Sequence, residues 1–310
     1  MSGDLIDGII VILAATLRAG TPLVFAALGE LVTEKSGVLN LGVEGMMLMG
    51  AVAGVIGAHN SGSLSVGVAA GIAAGVAMAL IFAVLTLTFQ ASQVPTGLAL
   101  TIFGIGLSAF LGLGYNDKPL QGLAPISIPG LSDIPVVGKL FFAHDVFVYL
   151  SLAMFAAIAW FLFRTRAGLA LRAVGEAPES AHALGKKVIA IRYAATLFGG
   201  AMAGLAGAYL SIVYTPMWAE NMTAGRGWIA LALVVFATWK PGRVLLGAYL
   251  FGGVTILQLN VQGAGYAVSS HLLSMLPYIA TVLVLVLISR DATKIKLNAP
   301  ASLGKPFHSD

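Results

Sequence analysis

The chain has 310 residues, of which 58% are hydrophobic and 10% charged, with a mean hydropathy of +0.94 and a net charge of +4. Soluble domains carry roughly a quarter charged residues, so an ordinary soluble globule is excluded. The absence of cysteine rules out disulfides, thiolate metal sites and thiol nucleophiles, and the surplus positive charge sits in loops, where membrane topology accounts for it without a nucleic-acid partner.

Asp, Glu, Lys and Arg are missing from 60–116, 146–163, 193–219 and 244–289. Each run has room for at least one helical span of about 20 apolar residues. Stretches such as Leu273–Ile288 are continuously apolar, not alternating, which favours helices over a β-barrel. The fold expected is all-α, a polytopic transmembrane helical bundle of about 8–10 spans, and its many glycines suit closely packed membrane helices.

In chain order, the N-terminus carries Asp4 and Asp7 where a signal peptide would be basic, so the first apolar segment is expected to be retained. Spans are predicted near 5–27, 38–58, 64–89, 94–113, 144–163, 190–212, 227–239, 244–259 and 271–289. The intervening loop 114–143 is rich in Pro, Gly and Ser and reads as an irregular extracytoplasmic cap. Arg164, Arg166, Arg172, Lys186, Lys187 and Arg192 gather around the loop 165–189, which is therefore cytoplasmic, as are Lys240, Arg243, Arg290, Lys294, Lys296 and Lys305. This gives a membrane domain over 1–290 and a cytoplasmic tail over 291–310. The segment 227–239 is short, and a re-entrant course there is the alternative. The layout also suggests an inverted repeat: spans one to four and six to nine run in opposite senses around one linking helix.

Polar groups at membrane depth are costly and mark pathways. Asn40 and Glu44, four apart, are expected on one helical face at the cytoplasmic entry of the second span, lining or gating the path or else joining helix ends. Gln93, Thr96 and Thr101 surround Pro95, which can bend a helix and free carbonyls; hydroxyls here either meet a solute or bond their own backbone. Trp218, Glu220, Asn221, Arg226 and Trp228 combine aromatic planes with hydrogen-bonding groups, as a planar base requires, and an interfacial aromatic belt with a Glu–Arg pair explains them equally. Arg18 either faces a carboxylate or snorkels. His59, His144, His182 and His271 have no ligand spacing, so no metal, cofactor or catalytic residue is assigned.

Within the stretch from Leu171 to Gly185 a short capped amphipathic helix is expected: Pro178 suits its first turn, Glu176 and Glu179 complement its dipole, and Gly185 ends it. A surface helix of this kind suits transmission of movement from a soluble motor. The stretch resembles the coupling loop of ABC importer permeases of the branched-chain amino acid, ribose and nucleoside group, roughly Arg-x-x-Gly-Glu-Asn-Pro-x-Ala-Ala-x-x-x-Gly, with Ala177 replacing the usual Asn. Ser36–Met47, which runs Ser-Gly-Val-Leu-Asn-Leu-Gly-Val-Glu-Gly-Met-Met, and Gly225–Phe236 carry the same resemblance, the latter closest to nucleoside-type permeases.

The resemblance implies a multi-pass inner-membrane subunit of an ATP-driven importer that does not itself hydrolyse ATP, and the chain contains no Gly-x-x-x-x-Gly-Lys-[Ser/Thr] phosphate loop. The implied partners are an ATP-binding subunit, a paralogous permease, an extracytoplasmic substrate-binding lipoprotein near 114–143, 213–225 and 260–270, a small-molecule substrate and membrane lipid. Docking of the motor is implied at Arg172, Gly175, Glu176, Pro178, Glu179 and Gly185. Nucleosides or related sugar-containing solutes are the implied cargo; ribose, simple sugars or branched-chain amino acids are the alternatives. An ion-coupled secondary transporter would carry buried charged relays, and a purely structural scaffold leaves the polar span entries unexplained.

Overall fold

The computed structural model describes residues 2–116, 118–127, 129–130, 136–263 and 298–308, with single positions at 132 and 134 and scattered ones from 272 to 286. Over these residues the chain is almost wholly helical: α1 (Ser2–Lys35), α2 (Val43–Ser61), α3 (Leu64–Ala83), α4 (Gln93–Gly112), α5 (Val137–Phe141), α6 (Val146–Arg164), α7 (Arg166–Glu176), α8 (Pro178–Ala183), α9 (Val188–Tyr209), α10 (Arg226–Phe236) and α11 (Pro241–Gly263). Among the described residues, six stretches are long and apolar enough to cross a bilayer: Gly8–Lys35, Leu64–Thr88, Gln93–Gly112, Val146–Arg164, Val188–Tyr214 and Pro241–Gly263. The expected span at 271–289, with His271, Arg290, Lys294 and Lys296, lies outside the described residues apart from isolated positions. The first span ends at Lys35 and not near 27, which carries Glu30 and Glu34 into the helix.

The centre of the bundle is α2, with α3, α4, α9 and α10 against it. Gly50 of α2, Gly71 and Gly75 of α3, and Gly200 and Gly204 of α9 meet backbone to backbone, so that a Cβ on Gly204 would strike the Gly71 carbonyl and one on Gly50 the Gly204 carbonyl. In a bilayer, where burial of apolar side chains drives little association, such close approach supplies the dispersion contacts that hold helices together.

The two halves pair in the same way. α3 lies antiparallel on α9, Gly71 against Gly204 and Ala208 and Gly75 against Gly200 and Gly204; α11 lies antiparallel on α1, Gly252 against Thr16 and Gly20 and Tyr249 against Gly20. α1 and α9 cross through Gly29, Gly199 and Met202. This is the pairing that an inverted repeat produces.

Pro22 inside α1 deprives the Arg18 carbonyl of its helical N–H, and the Tyr209 hydroxyl of α9 donates to that carbonyl at 3.3 Å. The same hydroxyl lies 3.4 Å from Asp145, which caps α6 by accepting from the amides of Phe147 and Val148. Arg18 faces this carboxylate at 3.5 Å, so a partner, and not snorkelling, accounts for its charge within the span. The loop 114–143 is more structured than its composition suggests: it holds α5 and a two-residue strand, Ile126–Ser127, paired antiparallel with Ala143–His144.

Candidate functional site

Glu44, in the first turn of α2, points its carboxylate at the start of α10. One oxygen accepts from the Thr223 hydroxyl at 2.6 Å and the Gly225 amide at 2.8 Å; the other accepts from the Gly227 amide at 2.5 Å. Asn221, Ala224 and Gly225 take positive φ values of 56°, 47° and 80°, the bend that turns these amides toward one point. Two helices therefore begin facing each other. Their positive dipole ends oppose, and a single carboxylate satisfies orphan amides of one while sitting in the first turn of the other.

The depth of this junction follows from α4. Gly45 packs on Leu100 and Thr101, and at 1.5 Å rise per residue Thr101 stands about 12 Å from the α4 end at Gln93 and about 16 Å from the end at Gly112. The junction is near the middle of a spanning helix, not at the cytoplasmic entry of the second span. From there α10, 11 residues long, covers about 15 Å, half a bilayer core. Irregular chain from Thr215 to Gly225, ending in turns over 220–225, covers the rest, since Trp218 packs on Gly112 at the far end of α4 and bridges to Asn116. The segment expected as a short span at 227–239 is thus a half-helix preceded by irregular backbone, an arrangement tolerated at membrane depth only where protein surrounds it.

The other end of α10 is also held by a carboxylate. Thr238 and Trp239 adopt φ values of 50° and 52°, and the indole N–H of Trp239 donates to Glu34 at 2.5 Å. A β-branched residue in the left-handed region is costly and persists because its surroundings fix it; Thr238 is 1% exposed and its hydroxyl accepts from Arg243 at 2.8 Å.

The positively charged loop forms two helices and not one. α7 begins at a Thr165 cap that accepts from the Gly168 amide, and α8 starts on Pro178 and ends as Gly185 turns to φ 76°. Gly175 lets α7 lie directly on the Lys35 carbonyl and the Gly37 amide. The ring of Phe163 lies 5.3 Å from the Arg172 guanidinium, while Glu176, Glu179, Leu184 and Gly185 are exposed.

Residues 12–288 match the family model described as "Branched-chain amino acid transport system / permease component". The chain belongs to this permease family. It is 39% identical to a putative glucose ABC transporter permease protein of Haloferax volcanii over 96% of this chain and 98% of that one. It is 32% identical to a guanosine ABC transporter permease protein of Bacillus subtilis, over 91% and 93% of the two chains, and 32% identical to a nucleoside ABC transporter permease protein of Lactococcus lactis, over 92% and 94%. No solved structure matches the chain. The protein is a multi-pass inner-membrane permease, the non-catalytic pathway subunit of an ABC importer, and its family works with an ATP-binding subunit and a substrate-binding protein.

In this permease the residues singled out on the sequence fall into two sets. Asn40, Glu44, Gln93, Thr101 and Trp218 are buried within the subunit. Asn40 is not on the α2 face with Glu44; it lies in the preceding turn, its side-chain oxygen accepting from the Gly42 amide at 2.9 Å and its backbone N–H donating to Glu30 at 3.2 Å. Gln93 accepts from the Leu39 amide at 2.7 Å, and Thr101 donates to the Leu41 carbonyl at 2.9 Å, so both hold the 36–42 loop. Pro95 falls in the first turn of α4, where no amide is needed and no bend results.

The second set faces outward. Thr96, Glu220, Asn221 and Trp228 are partly or fully exposed, Thr96 bonding back to the Ser92 carbonyl at 2.7 Å. Arg226 folds onto the carbonyls of Met222 and Thr223 at 3.1 and 3.2 Å. Among the described residues no three His, Asp or Glu side chains converge as a metal site requires. Sequence reasoning missed Glu30, Glu34, Thr223, Trp239 and Arg192. For the two glutamates the signal was present, an acidic pair four apart adjoining an apolar run, and it was lost by ending the first span too early.

Proposed function

We propose that this permease carries nucleosides or related sugar-containing solutes, moving them past the junction where α2 and α10 start. The observation that carries the reading is the midplane meeting of two helix N-termini, flanked by the exposed Glu220, Asn221 and Trp228. An indole face stacks on a base or a sugar ring, and the amide and carboxylate bond hydroxyls. A second, paralogous permease completes the wall of the path against this surface, and an extracytoplasmic lipoprotein delivers cargo to the segments near 114–143, 213–225 and 260–270, of which 264–270 lie outside the described residues. The ATP-binding subunit docks on the exposed faces of α7 and α8, through Glu176, Glu179 and Gly185 beside the half-buried Arg172, and its closure moves them; Gly175 and Pro178, expected in the same set, are buried within the subunit and seat α7 and start α8 instead. α10 tilts about the Glu44 joint, giving alternating access. The cytoplasmic side is the one bearing α7 and α8, and the membrane domain covers 1–290.

Glucose or another simple sugar is the second reading, supported by the 39% identity to a putative glucose permease. Uptake of labelled guanosine, uridine, glucose, ribose and leucine in matched cells with and without the gene, before and after ATP depletion, separates them. ATP-dependent loss of nucleoside uptake alone fits the first reading, loss of glucose or ribose uptake the second, and uptake that follows an ion gradient after ATP depletion overturns both.

A further inference from the structure

Residues 298–308, assigned on composition to a plain tail, are packed into the face that carries α7 and α8. The Ser302 amide and hydroxyl both donate to the Gly175 carbonyl, at 3.0 and 2.7 Å, and the Ala301 amide reaches Glu176 at 3.3 Å. On the other side the Gly304 amide donates to the Gly37 carbonyl at 3.1 Å, and Lys35 donates to the Asn298 carbonyl at 2.8 Å. Phe307 is buried among Val174, Ala181 and Val188, its ring 5.6 Å from His182. One strand of chain thus touches α7, α8, α9 and the loop leading to Asn40 and Glu44.

Arg192, 1% exposed near the start of α9, is the fixed point of this assembly. Its three nitrogens serve two segments: Nε donates to the Ser36 carbonyl at 3.2 Å, and Nη1 and Nη2 reach the 298–308 segment at the Lys305 carbonyl and the Ser302 hydroxyl, both at 3.1 Å. All three acceptors are neutral, and the planar fork of a guanidinium is needed to reach them together. So demanding a set of bonds is more than anchoring a terminus requires.

We infer that Arg192 and the 298–308 segment tie α7 and α8 to the 36–42 loop, so that a displacement of the docking helices is passed to the Glu44 junction. The segment completes a rigid body whose other members are the end of α1 and the loop held by Gln93 and Thr101. Arg192, Ser302 and Phe307 are positioning residues for transport and do not touch cargo. This rests on reading α7 and α8 as the motor's docking site.

The test uses the whole importer, permease with its ATP-binding subunit and receptor, in vesicles, with labelled guanosine and glucose as probes. Compared are wild type, Arg192→Gln, Arg192→Lys, Phe307→Ala, Ser302→Ala and a chain ending at Leu297. The expected result is normal recovery of the complex and normal ATP hydrolysis, with solute moved per ATP falling about fivefold or more in all but Ser302→Ala, which falls less. Arg192→Lys fails like Arg192→Gln, because one ammonium cannot span three acceptors. Unchanged solute per ATP in Phe307→Ala and the shortened chain overturns the tie. So does loss of the ATP-binding subunit from the complex, which would make the segment a docking contact, or loss of the folded permease itself in the Phe307→Ala and Ser302→Ala variants. A wild-type complex that moves neither probe on ATP fails the transport reading instead, independently of the variants.

Discussion

Glu44 and Gly227 are 183 positions apart, yet the amide of Gly227 meets the carboxylate of Glu44 at 2.5 Å. A Cβ on Gly227 would lie 2.5 Å from the Glu44 Cα, so the two helix starts approach as closely as backbone allows. This contact joins the N-terminal half of the permease to the C-terminal half at the level of the middle of α4.

Replacing Glu44 with Gln keeps one acceptor and turns the other into a donor facing a backbone N–H. A charge-assisted bond is lost and a buried amide left unpaired, a cost of about 2–4 kcal/mol. Glu44→Gln is expected to lower the unfolding temperature of the detergent-purified permease and to abolish uptake, and Glu44→Asp, which keeps the charge on a shorter arm, to retain part of both. Thermal unfolding beside uptake checks this; a Glu44→Gln permease as stable and active as wild type would dismiss the clasp.

At the opposite end of α10, Trp239→Phe preserves the ring and removes the indole donor to Glu34. The carboxylate oxygen it leaves is buried, and stranding it costs about 1–3 kcal/mol. The expected outcome is a destabilised permease with unchanged cargo preference, measured by unfolding in detergent and by competition among unlabelled solutes. A shift of preference would place Trp239 in the path.

The helical class, the capped helix from Pro178 to Gly185 and most span positions were legible in the sequence because they depend on local signals: charge-free runs, a first-turn proline, a glycine at a left-handed position. Depth was not legible. The apolar run of 227–236 looks the same whether its helix starts at a surface or at the midplane, and only the packing of Gly45 on Thr101 and of Trp218 on Gly112 reveals which. Nor could sequence show that Asn40, Gln93 and Thr101 spend their hydrogen bonds on one loop, because each partner is a backbone atom, which any residue supplies. Arg192 was read as one more cation of a basic loop for the same reason: its partners are carbonyls and a serine.

Gly175→Ala tests how tightly α7 is seated. The added methyl would overlap the Lys35 carbonyl and crowd the Gly37 amide, both backbone, so α7 must move as a whole. Overpacking of this kind costs about 1–3 kcal/mol. A Cβ on Gly242 meets nothing within 4 Å, so Gly242→Ala serves as control. Reduced uptake and reduced recovery of the ATP-binding subunit are expected for Gly175→Ala alone, and equal behaviour of the two variants would show the contact to be dispensable.

The exposed face of α8 gives the cleanest separation of docking from folding. Glu179 is exposed and its attraction to the buried Arg192 is screened by solvent, so Glu179→Ala should leave the amount of permease in the membrane unchanged. Gly185 has open space around it but a φ of 76°, so Gly185→Ala meets no neighbour and costs only about 1 kcal/mol of backbone strain at the turn that ends α8. In both variants the ATP-binding subunit is expected to hydrolyse ATP without moving solute, because the helix that receives its motion has lost a surface contact or its fixed end. Membrane abundance by immunoblot, ATP hydrolysis by the complex and uptake are read together: normal uptake in both variants refutes docking on α8, whereas low abundance would assign these residues to folding.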